Sequence, residues 1–145
     1  MSRIISIYNQ KGGVGKTTTV VNLAAALAFT GFFKKKVLVI DLDPQGNTTS
    51  GLGLDKNTVE KDIYSVLNGE ATLSEVWQAV RKKTLQLVPS TPDLTGFEIE
   101  ATTRKDPQHC LSKALKDVQE DFDYILIDCP PSLGMLSMNA LVASD

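Results

Sequence analysis

The stretch that most restricts the possible folds is residues 4–40. "IISIY" (4–8) is aliphatic and aromatic, and the glycine-rich "NQKGGVGK" (9–16) follows it at once. "KTTTVVNLAAALAFTG" (16–31) is rich in Ala and Leu and stops at Gly31, and "VLVI" (37–40) is a second β-branched run. The first and last runs read as buried strands and the middle as a helix. Strand, helix and strand at this spacing form a βαβ unit, which commits the chain to a parallel sheet with a right-handed crossover.

The rest of the chain extends that plan. "YILI" (124–127) reads as a further strand, and "LQLVP" (85–89) as a weaker one. Helices are expected around 59–68, 73–82, 94–103 and 107–120, the last with Asp106 as N-cap and Pro107 at its first position. The expected fold is α/β: a doubly wound, mainly parallel sheet with helices on both faces. A chain of 145 residues suits one domain, 1–145, with a substantial core.

In open α/β sheets, ligands bind outside the carboxyl ends of the strands. The loop 9–17, Asp41, Asp43 and Asp128 all fall there. Gly12, Gly13 and Gly15 lack a Cβ, so consecutive backbone N–H groups can turn inward, and the helix beginning near Lys16 adds its positive end. Such a cradle suits a di- or triphosphate, with Lys16 reaching the β- and γ-phosphates and the Thr17 hydroxyl on Mg²⁺. A glycine-rich turn can also merely start a helix. Here "GKTT" directly follows a strand and opens a helix, which favours the phosphate loop. The loop departs from G-x-x-x-x-G-K-[ST] in having Gln10 where the first glycine is expected, and it carries a second lysine, Lys11.

Period-2 geometry puts Asp41 and Asp43 on one side with Leu42 opposite. One of these acids can hold a metal through water while the other orients an attacking water, or both can belong to a polar turn. Asp128, ending an apolar strand before Pro130 and Pro131, fits a Mg²⁺-side carboxylate.

"KGGVGKTT" (11–18), "DLDPQGNTTSGLG" (41–53), "DIYSVLNGE" (62–70) and "DYILIDCPPSLGMLSMNAL" (123–141) together resemble ParA/Soj-type chromosome- and plasmid-partitioning ATPases. That family has a deviant Walker A loop, in which the position of Gln10 need not be glycine. The resemblance implies ATP and Mg²⁺ as cofactors, with Lys11, Gly12, Gly13, Val14, Gly15, Lys16, Thr17 and Thr18 around the nucleotide. It implies Asp43 as the water-orienting acid and Thr17, Asp41 and Asp128 on the metal side. Lys11 would reach across an ATP-dependent homodimer, beside Lys16 and Asp43 in the catalytic set. It further implies a ParB-type partner that stimulates hydrolysis, and non-specific DNA binding by the dimer. Family members usually run well beyond 200 residues, so the chain reads as the N-terminal portion of a longer domain. The adenine pocket and DNA surface would lie in the remainder.

Charge and cysteine usage set bounds on other functions. Residues 1–54 hold six Lys/Arg against two Asp/Glu, whereas 55–145 hold nine against fifteen. A basic first third suits an anionic ligand. No apolar run approaches the ~20 residues of a membrane span, and "MSRIISIYNQ" is unlike a secretory leader, so a cytoplasmic location without membrane attachment is expected. A MinD-like membrane-cycling ATPase would need an amphipathic C-terminal helix. An iron–sulfur carrier would need paired cysteines, whereas Cys110 and Cys129 read as reduced thiols.

Overall fold

The structure, a computed structural model, describes residues 2–8, 15–31, 35–80 and 82–145. The chain runs β1 (Arg3–Ile7), α1 (Lys16–Phe29), β2 (Val37–Asp41), α2 (Asn47–Gly51), α3 (Ile63–Leu67), α4 (Leu73–Val76), β3 (Gln78–Val80), β4 (Lys82–Val88), α5 (Thr95–Glu100), α6 (Cys110–Leu115), β5 (Tyr124–Asp128) and α7 (Met135–Ala143). The sheet order is β1-β5-β2-β4-β3. Pairings β1–β5, β5–β2 and β2–β4 are parallel, and β3 is antiparallel to β4.

Strand alternation divides the core in two. Val37 and Val39 of β2, Leu85 and Leu87 of β4 and Leu126 of β5 pack with Val20, Ala24 and Ala28 of α1. Their neighbours Leu38, Ile40, Ile125, Ile127 and Val88 pack on the other side with Ile63, Leu73, Phe97, Leu111 and Leu136, from α3 to α7. Small residues at i, i+4 and i+8 let α1 lie close to the sheet. Burial on both faces explains why β2 and β5 read as unbroken apolar runs rather than alternating ones. The expected doubly wound α/β fold is the fold found.

The differences are local. The strand expected at 85–89 begins three residues earlier and ends at Val88. The helix expected over 73–82 is a single turn, Leu73–Val76, opened by a capping box between Thr72 and Glu75. Trp77 then leaves the helix to pack edge-on against Phe122, with ring centroids 5.1 Å apart, and Gln78–Val80 joins β4 as an edge strand. Tertiary packing there overrides the helix propensity of Gln and Ala. Of the stretch 59–68, only Ile63–Leu67 is α-helical, with Asp62 accepting from the Ser65 N–H at 3.4 Å. The stretch 107–120 contains the 3₁₀ turn Pro107–His109, α6, and a second 3₁₀ turn Gln119–Asp121. Asp106 does precede the first turn, but with a left-handed φ of 52° and no capping bond from its carboxylate.

Candidate functional site

Gly15 is the N-cap of α1 at φ +86°, a left-handed conformation that favours glycine, and Lys16 is the first helical residue. The Thr19 N–H and hydroxyl both donate to the Gly15 carbonyl at 2.9 Å, closing the first turn. Thr17 is half-buried and Thr18 exposed at the start of this helix. Lys11, Gly12, Gly13 and Val14 lie outside the described residues.

The Lys16 side chain is buried. Its ammonium hydrogen-bonds the Asp128 carboxylate and lies 3.7 Å from Asp43 Oδ2. A buried ammonium needs such partners, because desolvation without them is prohibitive. Parallel register places Asp128 level with Ile7 on one neighbouring strand and Asp41 on the other. Three strand ends and the start of α1 therefore meet at the sheet's carboxyl edge. Asp128 is fully buried, and its Oδ2 accepts from the Thr48 hydroxyl at 2.6 Å. Burial pushes its pKa up, against the lowering influence of Lys16 and Thr48.

Asp43 borders the cavity from a tight turn. Its Oδ1 accepts from the Gln45 N–H at 3.0 Å, and its carbonyl accepts from the Gly46 N–H and the Ser90 hydroxyl, each at 2.8 Å. Gly46 is left-handed at φ +64°, and a Cβ there would stand 2.5 Å from Lys56 Cδ. Lys56 in turn donates from Nζ to the Gln45 carbonyl at 2.7 Å.

Asp41 has a different environment from its sequence neighbour. Its Oδ1 accepts from the Asp43 N–H at 3.0 Å, and its Oδ2 accepts from the Thr49 N–H at 2.9 Å and the Thr49 hydroxyl at 2.7 Å. Both oxygens are thus engaged by donors of this chain. Burial, and then the charge of Asp128, push its pKa up to about 7. Asp41 organises the turn that carries Asp43 and the start of α2. The Cys129 thiol is pushed up to about 12, chiefly by burial, and is no nucleophile.

A cavity of about 410 Å³ opens over these groups, lined by Gly15, Lys16, Thr17, Thr18, Asp43 and Pro131 among others. A separate, more apolar hollow of about 600 Å³ is walled by Leu67, Trp77 and Val118. Arg104 at its rim already donates to the Leu67 carbonyl at 2.9 Å, so that hollow offers little to a phosphate. Among the described residues, no three His, Cys, Asp or Glu side chains gather into a metal cage. A lone hydroxyl with one or two carboxylates nearby still fits Mg²⁺, which keeps its waters and takes its remaining ligands from phosphate oxygens.

Of the residues singled out in the sequence, Gly15, Lys16, Thr17, Thr18 and Asp43 share this cavity, and Asp128 reaches it through Lys16. Sequence reasoning missed Thr48, Thr49 and Ser90, which hold the three aspartates in place. The available signal was "NTT" (47–49), two hydroxyls in succession directly after the paired acids.

A family described as an AAA domain matches residues 2–145. Sporulation initiation inhibitor protein Soj of Bacillus subtilis (strain 168) is 50% identical over 145 residues, which is 100% of this chain and 56% of that protein. Chromosome partitioning protein ParA of Myxococcus xanthus (strain DK1622) is 47% identical over 145 residues, 100% of this chain and 50% of its own length. The chain thus spans about half the length of the curated relatives it matches. Cobyrinic acid a,c-diamide synthase from Mycobacterium smegmatis, solved with bound ADP and magnesium, superposes with a TM-score of 0.92 at 40% identity, over 99% of this chain and 57% of that one. The chain belongs to the AAA-domain family, among the ParA/Soj-type P-loop ATPases.

Proposed function

We propose that this chain binds MgATP and serves as the nucleotide-binding part of a slowly hydrolysing switch for DNA partitioning. The observation that carries this reading is the burial of Lys16 between Asp43 and Asp128, beside a cavity that Gly15, Thr17 and Thr18 also line. That constellation matches the needs of phosphoryl transfer, in which positioning and charge stabilisation do most of the work. The ADP and magnesium of the mycobacterial relative support ATP and Mg²⁺ here.

Lys16 supplies positive charge to the β- and γ-phosphates, helped by the N-terminal end of α1. Gly12, Gly13, Val14 and Gly15 provide backbone N–H groups. The Thr17 hydroxyl and Asp128 stand on the metal side, with Asp41 holding the loop behind them. Bound Mg²⁺ would neutralise charge between the phosphates. Asp43 orients water for in-line attack on the γ-phosphate. In the whole protein, Lys11 reaches the partner's nucleotide in an ATP-dependent homodimer, the dimer binds DNA non-specifically, and a ParB-type protein stimulates hydrolysis. The names Soj and ParA among the relatives support this outer part of the reading.

The direct test is titration of the chain with a fluorescent ATP analogue and Mg²⁺, for the wild type and Lys16→Ala. The expected result is saturable binding that weakens at least 100-fold in the variant, since removing a charged phosphate contact costs roughly 3 kcal/mol. Equal affinity of the two proteins would overturn the assignment of the loop.

A further inference from the structure

We infer that Thr48 is a positioning residue for nucleotide binding: its hydroxyl stays on Asp128 when Lys16 leaves that carboxylate for a phosphate. The inference rests on the nucleotide reading above.

Asp128 is fully buried, and two side chains from different parts of the chain satisfy it. The Lys16 ammonium holds one oxygen, and the Thr48 hydroxyl donates to the other at 2.6 Å. Thr48 is itself fully buried, near the start of α2. Lys16 directs its ammonium to Asp128 and Asp43, so turning its three N–H donors toward a phosphate weakens those ion pairs. Turning toward phosphate takes the ion-pair partner from a buried carboxylate and leaves the Thr48 hydroxyl as its remaining side-chain donor from this chain, beside the metal side of the nucleotide. Leaving such a group unsatisfied is costly, so the remaining donor decides how readily Lys16 can move.

The anchoring of α2 makes Thr48 suited to the task. Next to it, Thr49 donates through both its N–H and its hydroxyl to Asp41 Oδ2, and its hydroxyl oxygen accepts from the Ser90 N–H at 3.0 Å. Consecutive threonines thus fix two different aspartates at the ends of β2 and β5. Thr49 ties α2 to the sheet, and Thr48 presents its hydroxyl to Asp128 from that fixed base. Without the hydroxyl, Asp128 depends on Lys16 alone and holds it more tightly against the incoming phosphate.

Thr48→Val keeps the shape and removes the donor, and Thr48→Ser keeps the donor and removes the methyl group. Titration with the fluorescent ATP analogue and Mg²⁺ should give Thr48→Val about a tenfold weaker dissociation constant, equivalent to about 1.4 kcal/mol, with Thr48→Ser close to wild type. Where turnover is measurable, the apparent KM should rise while kcat changes little. Circular dichroism and a urea melt establish that each variant is folded, and Thr48→Ala replaces Thr48→Val if the latter is not. Wild-type affinity in a folded variant without the hydroxyl sinks the inference, as does a serine variant as weak as valine. Lys16→Ala separates the two levels: if it binds as wild type does, the nucleotide reading itself fails, whereas its loss of binding beside an unaffected Thr48→Val removes only the role of Thr48.

Discussion

At the residue scale, the two acids of "DLD" do different work although sequence spacing makes them look equivalent. Asp43 lies past the end of β2 and faces Lys16, whereas Asp41 is the last residue of the strand and spends both oxygens on Asp43 and Thr49. Period-2 reasoning cannot separate them, because the strand ends between them and two of the three bonds that hold Asp41 come from Thr49, eight residues later. The difference is testable through pH. Folded Asp41 keeps its proton up to about pH 7, against 3.8 as the ordinary value, so folding takes up a proton between these limits. Its contribution to stability is therefore fully present below pH 3.8 and lost as pH rises toward 7. Urea denaturation without divalent cations should show the wild type losing stability from pH 5 to pH 7.5. Asp41→Asn, with nothing to titrate at that position, should have a flatter profile by roughly 1–3 kcal/mol. Parallel profiles would mean that Asp41 ionises normally despite its burial.

At the element scale, helices with local start signals were legible and helices held from a distance were not. α1 announced itself through the glycine loop before it and Gly31 after it. α7 gives no such signal: it is apolar on every side, and its N-cap Gly134 makes no side-chain bond. Its capping group comes from α5, where Glu98 accepts from the Met135 N–H at 2.7 Å and the Leu136 N–H at 2.9 Å. A carboxylate there satisfies two free amides and complements the positive end of the helix. A Cβ at Gly134 would stand 2.5 Å from Glu98 Oε1, so the carboxylate would have to swing out of its capping position. Gly134→Ala should therefore resemble Glu98→Ala, each lowering stability by roughly 1–2 kcal/mol in urea denaturation. The double variant should lose little more than either single one, because both remove the same cap. Fully additive losses would show that the two residues act independently. The same logic explains β3, whose pairing with β4 and whose turn at Trp77 depend on Phe122, far along the chain.

At the scale of the whole molecule, the parallel sheet was legible because its strands are buried on both faces and must be apolar throughout. The convergence of Lys16, Asp43 and Asp128 followed from that topology, since parallel strands bring their carboxyl ends to one edge. What topology could not supply was the layer of Thr48, Thr49 and Ser90 behind the acids, whose partners are set by side-chain geometry. Because the site draws on β1, α1, β2, β4 and β5 together, a ligand bound there stabilises the assembled domain rather than one segment. MgATP at about 100 times its dissociation constant adds roughly 2.7 kcal/mol of stability, and for a domain of this size that raises Tm by roughly 5–10 °C. ATP with EDTA should give a clearly smaller rise, because Thr17 then has no cation through which to hold the phosphates. Thr17→Ala should show the small rise whether or not Mg²⁺ is present, since the metal no longer has its hydroxyl ligand. Thermal melting of the four combinations checks this directly. An equal rise for wild type and Thr17→Ala in Mg²⁺ would move the metal away from that hydroxyl and leave Asp128 as the remaining metal-side residue.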